Sequence, residues 1–272
     1  MYIDFHTHLF PESIAAATLQ KLGAASALEP TTDGTANGLL RSMDNAGIEA
    51  SVVLPVVTKP SQFDSVNRFA ASLHSTYPRL ISFGGIHPDN ENVEEKLDTV
   101  VSLGLPGIKL HPDYQQTFID DERYRRILQA AIDRHLIVSI HAGIDKGLPD
   151  PIHCSPDRAR RLLDTLTIPS SACIVFAHGG GWGCWDEVER CLVGQPIYFD
   201  LGVTLQYIDE AQLLRLIRLH GAERILFASD VPWSDQADCV KRFEALPLTE
   251  TERRLIAFDN ARRLLSPLTS VE

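Results

Sequence analysis

Two histidines separated by one residue, His6 and His8, follow the short apolar run Tyr2-Ile3-Asp4-Phe5. Residues two apart on a strand share a face, so both imidazoles project side by side. Each can present a ring nitrogen to one cation, and imidazole suits zinc and its neighbours in the transition series. The pair is half a metal site. Other histidines and one acid fall at comparable places: His87, His111, His141, His178 and Asp230 each end or follow a short apolar run.

Those runs alternate with sequence of helical character. Strands are predicted at residues 2–8, 50–57, 80–86, 107–111, 136–141, 172–178, 197–201 and 224–230. Helices are predicted at 11–22, 36–46 (stopped by Gly47), 62–77, 93–103, 121–135, 156–166, 184–192 and 210–220, with a closing pair over 236–265. Residues 23–38 are rich in Ala, Thr and Gly and form an excursion over one end of the fold. Eight strand-then-helix units without a compositional break point to one closed (β/α)8 TIM barrel spanning residues 1–272. An open doubly wound sheet would carry a Gly-rich phosphate turn after its first strand, where His6-Thr7-His8 stands instead. All parallel strands of a barrel end at one mouth, so the histidines and Asp230 converge there. His135 and His220 close helices, where an imidazolium meets the helix dipole, and His74 lies inside one; these read as structural, as does His153 on the loop after the fifth strand.

The chain has 272 residues, 22% charged, with a net charge of −11. That balance, with no Lys or Arg run, argues against a nucleic-acid partner. No stretch is long and apolar enough for a membrane span and no leader pattern precedes the first strand, so a cytoplasmic location is expected. The five cysteines are odd in number and irregular in spacing, which reads as free thiols.

His6-x-His8 on strand one, histidines ending strands five and six, and Asp on strand eight together resemble the amidohydrolase superfamily of metal-dependent hydrolases. The strings that carry the resemblance run along the whole chain: Phe5-His6-Thr7-His8, Gly107-Ile-Lys-Leu-His-Pro112, Ile140-His141-Ala-Gly143, Ala177-His178-Gly-Gly-Gly181, Ser229-Asp230-Val-Pro232 and Asn260-Ala-Arg-Arg-Leu264. Within the superfamily the strings around Lys109 and His178 look most like the branch holding aminocarboxymuconate-semialdehyde decarboxylase. The resemblance implies that His6, His8, His141 and Asp230 ligate a divalent metal, most often zinc. His178 would then be a general acid/base, with Asp230 sharing the proton traffic, or else a ligand to a second metal.

Lys109 and His111 share the inward face of strand four. In binuclear members of the superfamily a strand-four lysine is carboxylated and bridges two metals; a plain lysine can hold a substrate carboxylate instead. One metal per chain is expected, with Lys109, His111 and Trp233 contacting substrate, and two metals if Lys109 is carboxylated. The leading expectation is hydrolysis of a small amide, ester or lactone by metal-activated water. The alternative on the same site is non-oxidative decarboxylation of a small unsaturated or aromatic acid. A third class is a catalytically silent barrel that binds metal or a metabolite. The partner is a small molecule, a carboxylic acid among the candidates; an assembly of identical chains is left open.

Overall fold

Strand β1, Tyr2–Thr7, is buried along its whole length, as an inner barrel strand must be. The computed structural model describes residues 1–266. The further strands are β2 Ile48–Val53, β3 Leu80–Ser82, β4 Gly84–Gly85, β5 Gly107–Leu110, β6 Ile137–Ile140, β7 Ile174–Phe176, β8 Tyr198–Asp200 and β9 Ile225–Leu226. All neighbours pair in parallel, in the orders β1-β2-β3 and β4 to β9. The predicted third strand is split into β3 and β4 around Phe83, whose N–H donates to Val53 O at 2.9 Å. At the other seam Phe5 N donates to Phe227 O at 2.9 Å, Asp230 N to His6 O at 2.8 Å and His8 N to Val231 O at 2.7 Å. First and last strands thus meet, and the TIM barrel expected from the strand-helix alternation is the fold.

Ile3, Phe5, Val52, Leu54, Phe83, Ile137, Val175 and Leu226 form one inner cluster drawn from successive strands. Ala261 and Leu265, near the C-terminal end of the described chain, join it and cover the end away from the histidines. A larger cluster fills the layer between strands and helices. The β1–β2 register is irregular between Asp4 and Thr7. Such an irregularity can re-aim side chains, and it falls in the stretch of β1 that carries His6.

The helices are α1 Glu12–Ser26, α2 Ala36–Ala46, α3 Phe63–Thr76, α4 Val93–Ser102, α5 Glu122–Asp133, α6 Pro156–Leu163, α7 Trp185–Cys191, α8 Glu210–His220, α9 Gln236–Ala245, α10 Glu250–Arg254 and α11 Asn260–Leu265. Five of the eleven start where a side chain caps the first turn, as Thr35 Oγ1 does for Gly38 N and Asp209 for Gln212 N. Four expectations about the helices need correction. Helix α1 runs past Gly23 to Ser26, because Ala24 and Ala25 favour helix and the turn closes at Ala27, in the left-handed conformation. The closing region is three short helices with a π-helical turn at Leu255–Asp259 between the last two. His220 does end α8, but as a neutral ring: Nε2 donates to Ile197 O at 2.9 Å, Nδ1 accepts from Gly194 N, and burial lowers its pKa to about 4. His135 lies beyond the end of α5, in left-handed backbone at φ 57°. All five cysteines are free, and no described helix is long and apolar enough to cross a membrane.

Candidate active site

The strand ends bring three donor atoms together. His6 Nε2 and His8 Nε2 lie 3.1 Å apart, and Asp230 Oδ1 is 3.3 Å from the first and 3.1 Å from the second. Each histidine has its other nitrogen committed. His6 Nδ1 donates to Asp200 Oδ2 at 2.9 Å, and His8 Nδ1 donates to Leu54 O at 2.9 Å. These acceptors fix both tautomers, so two lone pairs and a carboxylate oxygen face one point. Burial lowers the His6 pKa to about 4, assisted by the neighbouring Lys109 charge and opposed by Asp200 and Asp230, which keeps the ring neutral. Burial pushes the Asp230 carboxyl upward, yet His6, His8 and His178 hold it below the usual carboxylate range. Donor atoms bound to one zinc at about 2.0–2.2 Å stand roughly 3 Å apart, so the spacing fits a small divalent cation. Without a cation the facing lone pairs repel one another.

His178 and His141 form the other half. His178 Nδ1 donates to Gly202 O at 3.0 Å, leaving Nε2 to face His141 Nδ1 at 3.0 Å. The buried Nε2 of His141 has no hydrogen-bond partner, and burial, then the neighbouring His111, His178 and Lys109, drive its pKa well below that of free imidazole. His141 groups with His111 and Asp145 as a second set of potential donors, and it meets the first triad across His178. Both His178 (φ 62°) and Asp230 (φ 70°) are in left-handed backbone, a strain of about 1–3 kcal/mol each. Their own N–H groups hold them there, donating to Asp200 Oδ1 and His6 O. Space at Gly202 is tight: a Cβ would lie 3.2 Å from Asp200 Oδ1 and 3.3 Å from both His6 Nδ1 and Asp230 Cβ, so a larger residue would press on the cluster.

Lys109 is fully buried with its Nζ 3.3 Å from His6 Nε2, and it forms no ion pair among the described residues. Burial lowers its pKa to about 8 against the pull of Asp200 and Asp230. A cavity of about 550 Å³, its open mouth included, lies over the cluster. His141, His178 and Asp230 form its floor, and Tyr114, Trp182, Tyr207 and Trp233 supply aromatic wall. Leu22, Ser26 and Leu28 also line it, so the excursion after the first strand does wall the mouth. Trp233 therefore stands where a substrate contact was expected. Lys109 and His111 do not line the cavity. His111 is stacked between Tyr114 and His141, 4.0 Å from each ring, and its Nε2 is 3.5 Å from Asp145 Oδ2. Trp185 packs behind the site, its Nε1 donating to His178 O at 3.1 Å. His153 donates to Asp113 Oδ1 at 3.0 Å, and His74 stays within α3.

Asp200, Asp113, Asp145 and the tyrosines were not expected at the site. Asp200 had a signal: it is the acid in an apolar strand, at the barrel end where the histidines gather. Asp113 and Asp145 lie on loops, where one sequence gives no periodicity to place them.

The fold has solved counterparts. A Rhizobium 2,6-dihydroxybenzoate decarboxylase superposes with a TM-score of 0.73 at 18% identity, covering 98% of each chain. A dihydroxybenzoic acid decarboxylase from Polaromonas sp. JS666, solved with manganese and 2-nitroresorcinol, gives 0.71 at 16% identity, covering 97% of this chain and 96% of its own. A 5-carboxyvanillate decarboxylase from Novosphingobium aromaticivorans, solved with manganese and a nitrobenzoic acid, gives 0.75 at 15% identity, covering 98% and 96%. At these identities the likeness is one of fold. No curated protein matches the chain in sequence. Residues 3–266, nearly the whole chain, match the family described as Amidohydrolase, and the protein belongs to that family.

Proposed function

We propose that the protein is a metal-dependent non-oxidative decarboxylase of a small planar acid, aromatic or otherwise unsaturated. In this reading His6, His8, Asp230 and His141 hold one divalent cation and His178 manages the proton. The observation that carries it is the convergence of His6 Nε2, His8 Nε2 and Asp230 Oδ1 within 3.3 Å of one another under an aromatic-walled cavity. A bound cation supplies Lewis-acid stabilisation of negative charge on a substrate oxygen. Zinc suits the donors, and the mixed nitrogen and oxygen set also accepts manganese, the metal of two structural counterparts. Those counterparts act on ring carboxylic acids, which favours decarboxylation over the hydrolysis that the motifs first suggested.

Decarboxylation exchanges a C–C bond for a C–H bond, so the carbon takes up one proton as neutral carbon dioxide leaves. His178 has Nδ1 tied to Gly202 O, so Nε2 is the nitrogen that delivers the proton. Asp230, held ionised, would keep negative charge beside the cation, and solvent returns to His178 the proton that the product carbon has taken up. Leu22, Leu28, Ile144 and Val203 give the cavity apolar wall, and a substrate seated against it would lose part of its hydration, which disfavours the carboxylate relative to an uncharged product. Hydrolysis of a small amide, ester or lactone is the second reading, supported by the family description. The test is metal-loaded protein incubated with hydroxybenzoates, other unsaturated acids and lactones, with carbon dioxide and acid release followed in parallel. Carbon dioxide release is expected; lactone opening without it would replace the proposal by the hydrolytic reading.

A further inference from the structure

The loop after β6 carries a cation that the chemistry above does not use. Trp182 N donates to Ala142 O and Ile144 N to Trp182 O, both at 2.9 Å, so this loop is stitched to the one after β7. The approach requires glycine at position 143, where φ is +85° and a Cβ would fall 2.1 Å from Trp182 N. Asp145 Oδ1 then accepts the N–H groups of Gly147 at 2.8 Å and Leu148 at 2.9 Å, closing a turn around Lys146. The Lys146 ammonium stands 5.1 Å from the centre of the Tyr207 ring and 5.7 Å from that of Trp182. Those two rings meet edge to face at 5.5 Å. Lys146 forms no ion pair among the described residues, and it lines the same cavity as His178 and Asp230.

We infer that Lys146 is a specificity residue for a second anionic group, so that the preferred substrates are planar ring acids carrying two acidic substituents. One sits at the floor and the other at the rim; the assignment of the floor acid rests on the decarboxylase reading. Three features argue for it. The ammonium is pre-positioned by two aromatic faces, which reduces the ordering cost of meeting an anion. The walls between rim and floor are aromatic and take a flat ring. In a chain of net charge −11, a cation that forms no ion pair among the described residues gives an entering anion a local attraction at the mouth.

Trp182 and Trp233 line the cavity and report binding by fluorescence. Metal-loaded protein is titrated with isophthalate and with its monomethyl ester, which keeps the shape and loses one charge. Wild type is expected to bind isophthalate about fivefold more tightly, the upper range for one exposed ion pair. Lys146→Met removes that preference while binding the ester unchanged, Lys146→Arg keeps it, and roughly 1 M salt shrinks it. An unchanged preference in Lys146→Met, an equal loss for both compounds, or no binding of either by wild type overturns the inference. Carbon dioxide release separates it from the decarboxylase reading. If the preference behaves as stated but no ring acid loses carbon dioxide, the reaction is wrong and the rim assignment stands. If both compounds turn over with the same kcat/KM in wild type and Lys146→Met, the rim assignment fails and the reaction stands.

Discussion

Replacing Asp200 by asparagine tests the donor cluster without touching a donor. Asp200 Oδ2 accepts from His6 Nδ1 at 2.9 Å, and Oδ1 accepts from the N–H groups of His178 and Gly202 at 3.0 Å each. In Asp200→Asn the amide oxygen keeps the two backbone donors, and the amide NH2 is left facing His6 Nδ1. Two donors cannot bond, so His6 shifts its hydrogen to Nε2 and accepts at Nδ1. The hydrogen then points at His8 Nε2 and Asp230 Oδ1, and the lone pair has left the cluster. Loss of an outer partner of this kind costs about 10–100-fold in metal affinity. Because a ligand lone pair is removed and not merely weakened, we expect the upper end, about 100-fold or ~2.7 kcal/mol. Asp200→Ala leaves the tautomer free to choose and should lose only about tenfold. Competition with a chromophoric chelator measures both, with thermal unfolding as the control for folding. Affinity of Asp200→Asn within about threefold of wild type, or tighter than that of Asp200→Ala, refutes the tautomer argument.

Three further outcomes are expected. His178→Asn should retain metal and lose roughly 10² or more in kcat, the scale of acid/base catalysis; turnover within a fewfold of wild type would leave His178 only its bond to Gly202 O. Lys109→Met should hold close to one metal per chain, because Lys109 lies beneath the cavity and outside the four proposed ligands, whereas two metals in wild type and fewer in the variant would mean a carboxylated, bridging lysine. His220 makes stability depend on pH. Its folded pKa of about 4 lies below the unfolded 6.5, so its contribution is complete above pH 6.5 and is lost as pH falls toward 4. By pH 5 the loss is about 2 kcal/mol. Urea unfolding at pH 7 and pH 5 should show that slope flattened in His220→Gln, and an equal slope in the variant would count against a neutral buried ring.

The strands were legible because β-branched and apolar runs recur between helical segments, and a run such as Ile137–Ile140 has few other uses; the second strand, expected at 50–57, is instead Ile48–Val53. The shared mouth followed from parallel topology alone, which is why His6, His8, His178 and Asp230 were anticipated as neighbours. Sequence does not carry local direction. His141 was expected at the same mouth as His6, but its stacking on His111 and its contact with His178 are set by side-chain direction, which no strand pattern encodes. Lys109 was expected to face substrate, yet one fully buried strand position places its ammonium against His6 beneath the cavity. His220 looked like a helix-capping cation, but two backbone groups and Phe199, 4.0 Å away, make it a core ring. Such outcomes depend on partners distant in the chain, and no window of sequence contains them.

Asp4 lies one turn of strand below the histidines and is fully buried, with burial raising its pKa to about 6 against its hydrogen bonds. It gathers the N–H of His6, the N–H and hydroxyl of Ser229, and the Gln236 amide. Ser229 precedes Asp230, so the carboxylate that ties the first strand to the last also sets the loop bearing the third donor. A chain emerging from the ribosome therefore has its two leading histidines long before it has a site for a cation. Metal capture waits for a contact 225 residues apart in sequence, and it can serve as a reporter of barrel closure.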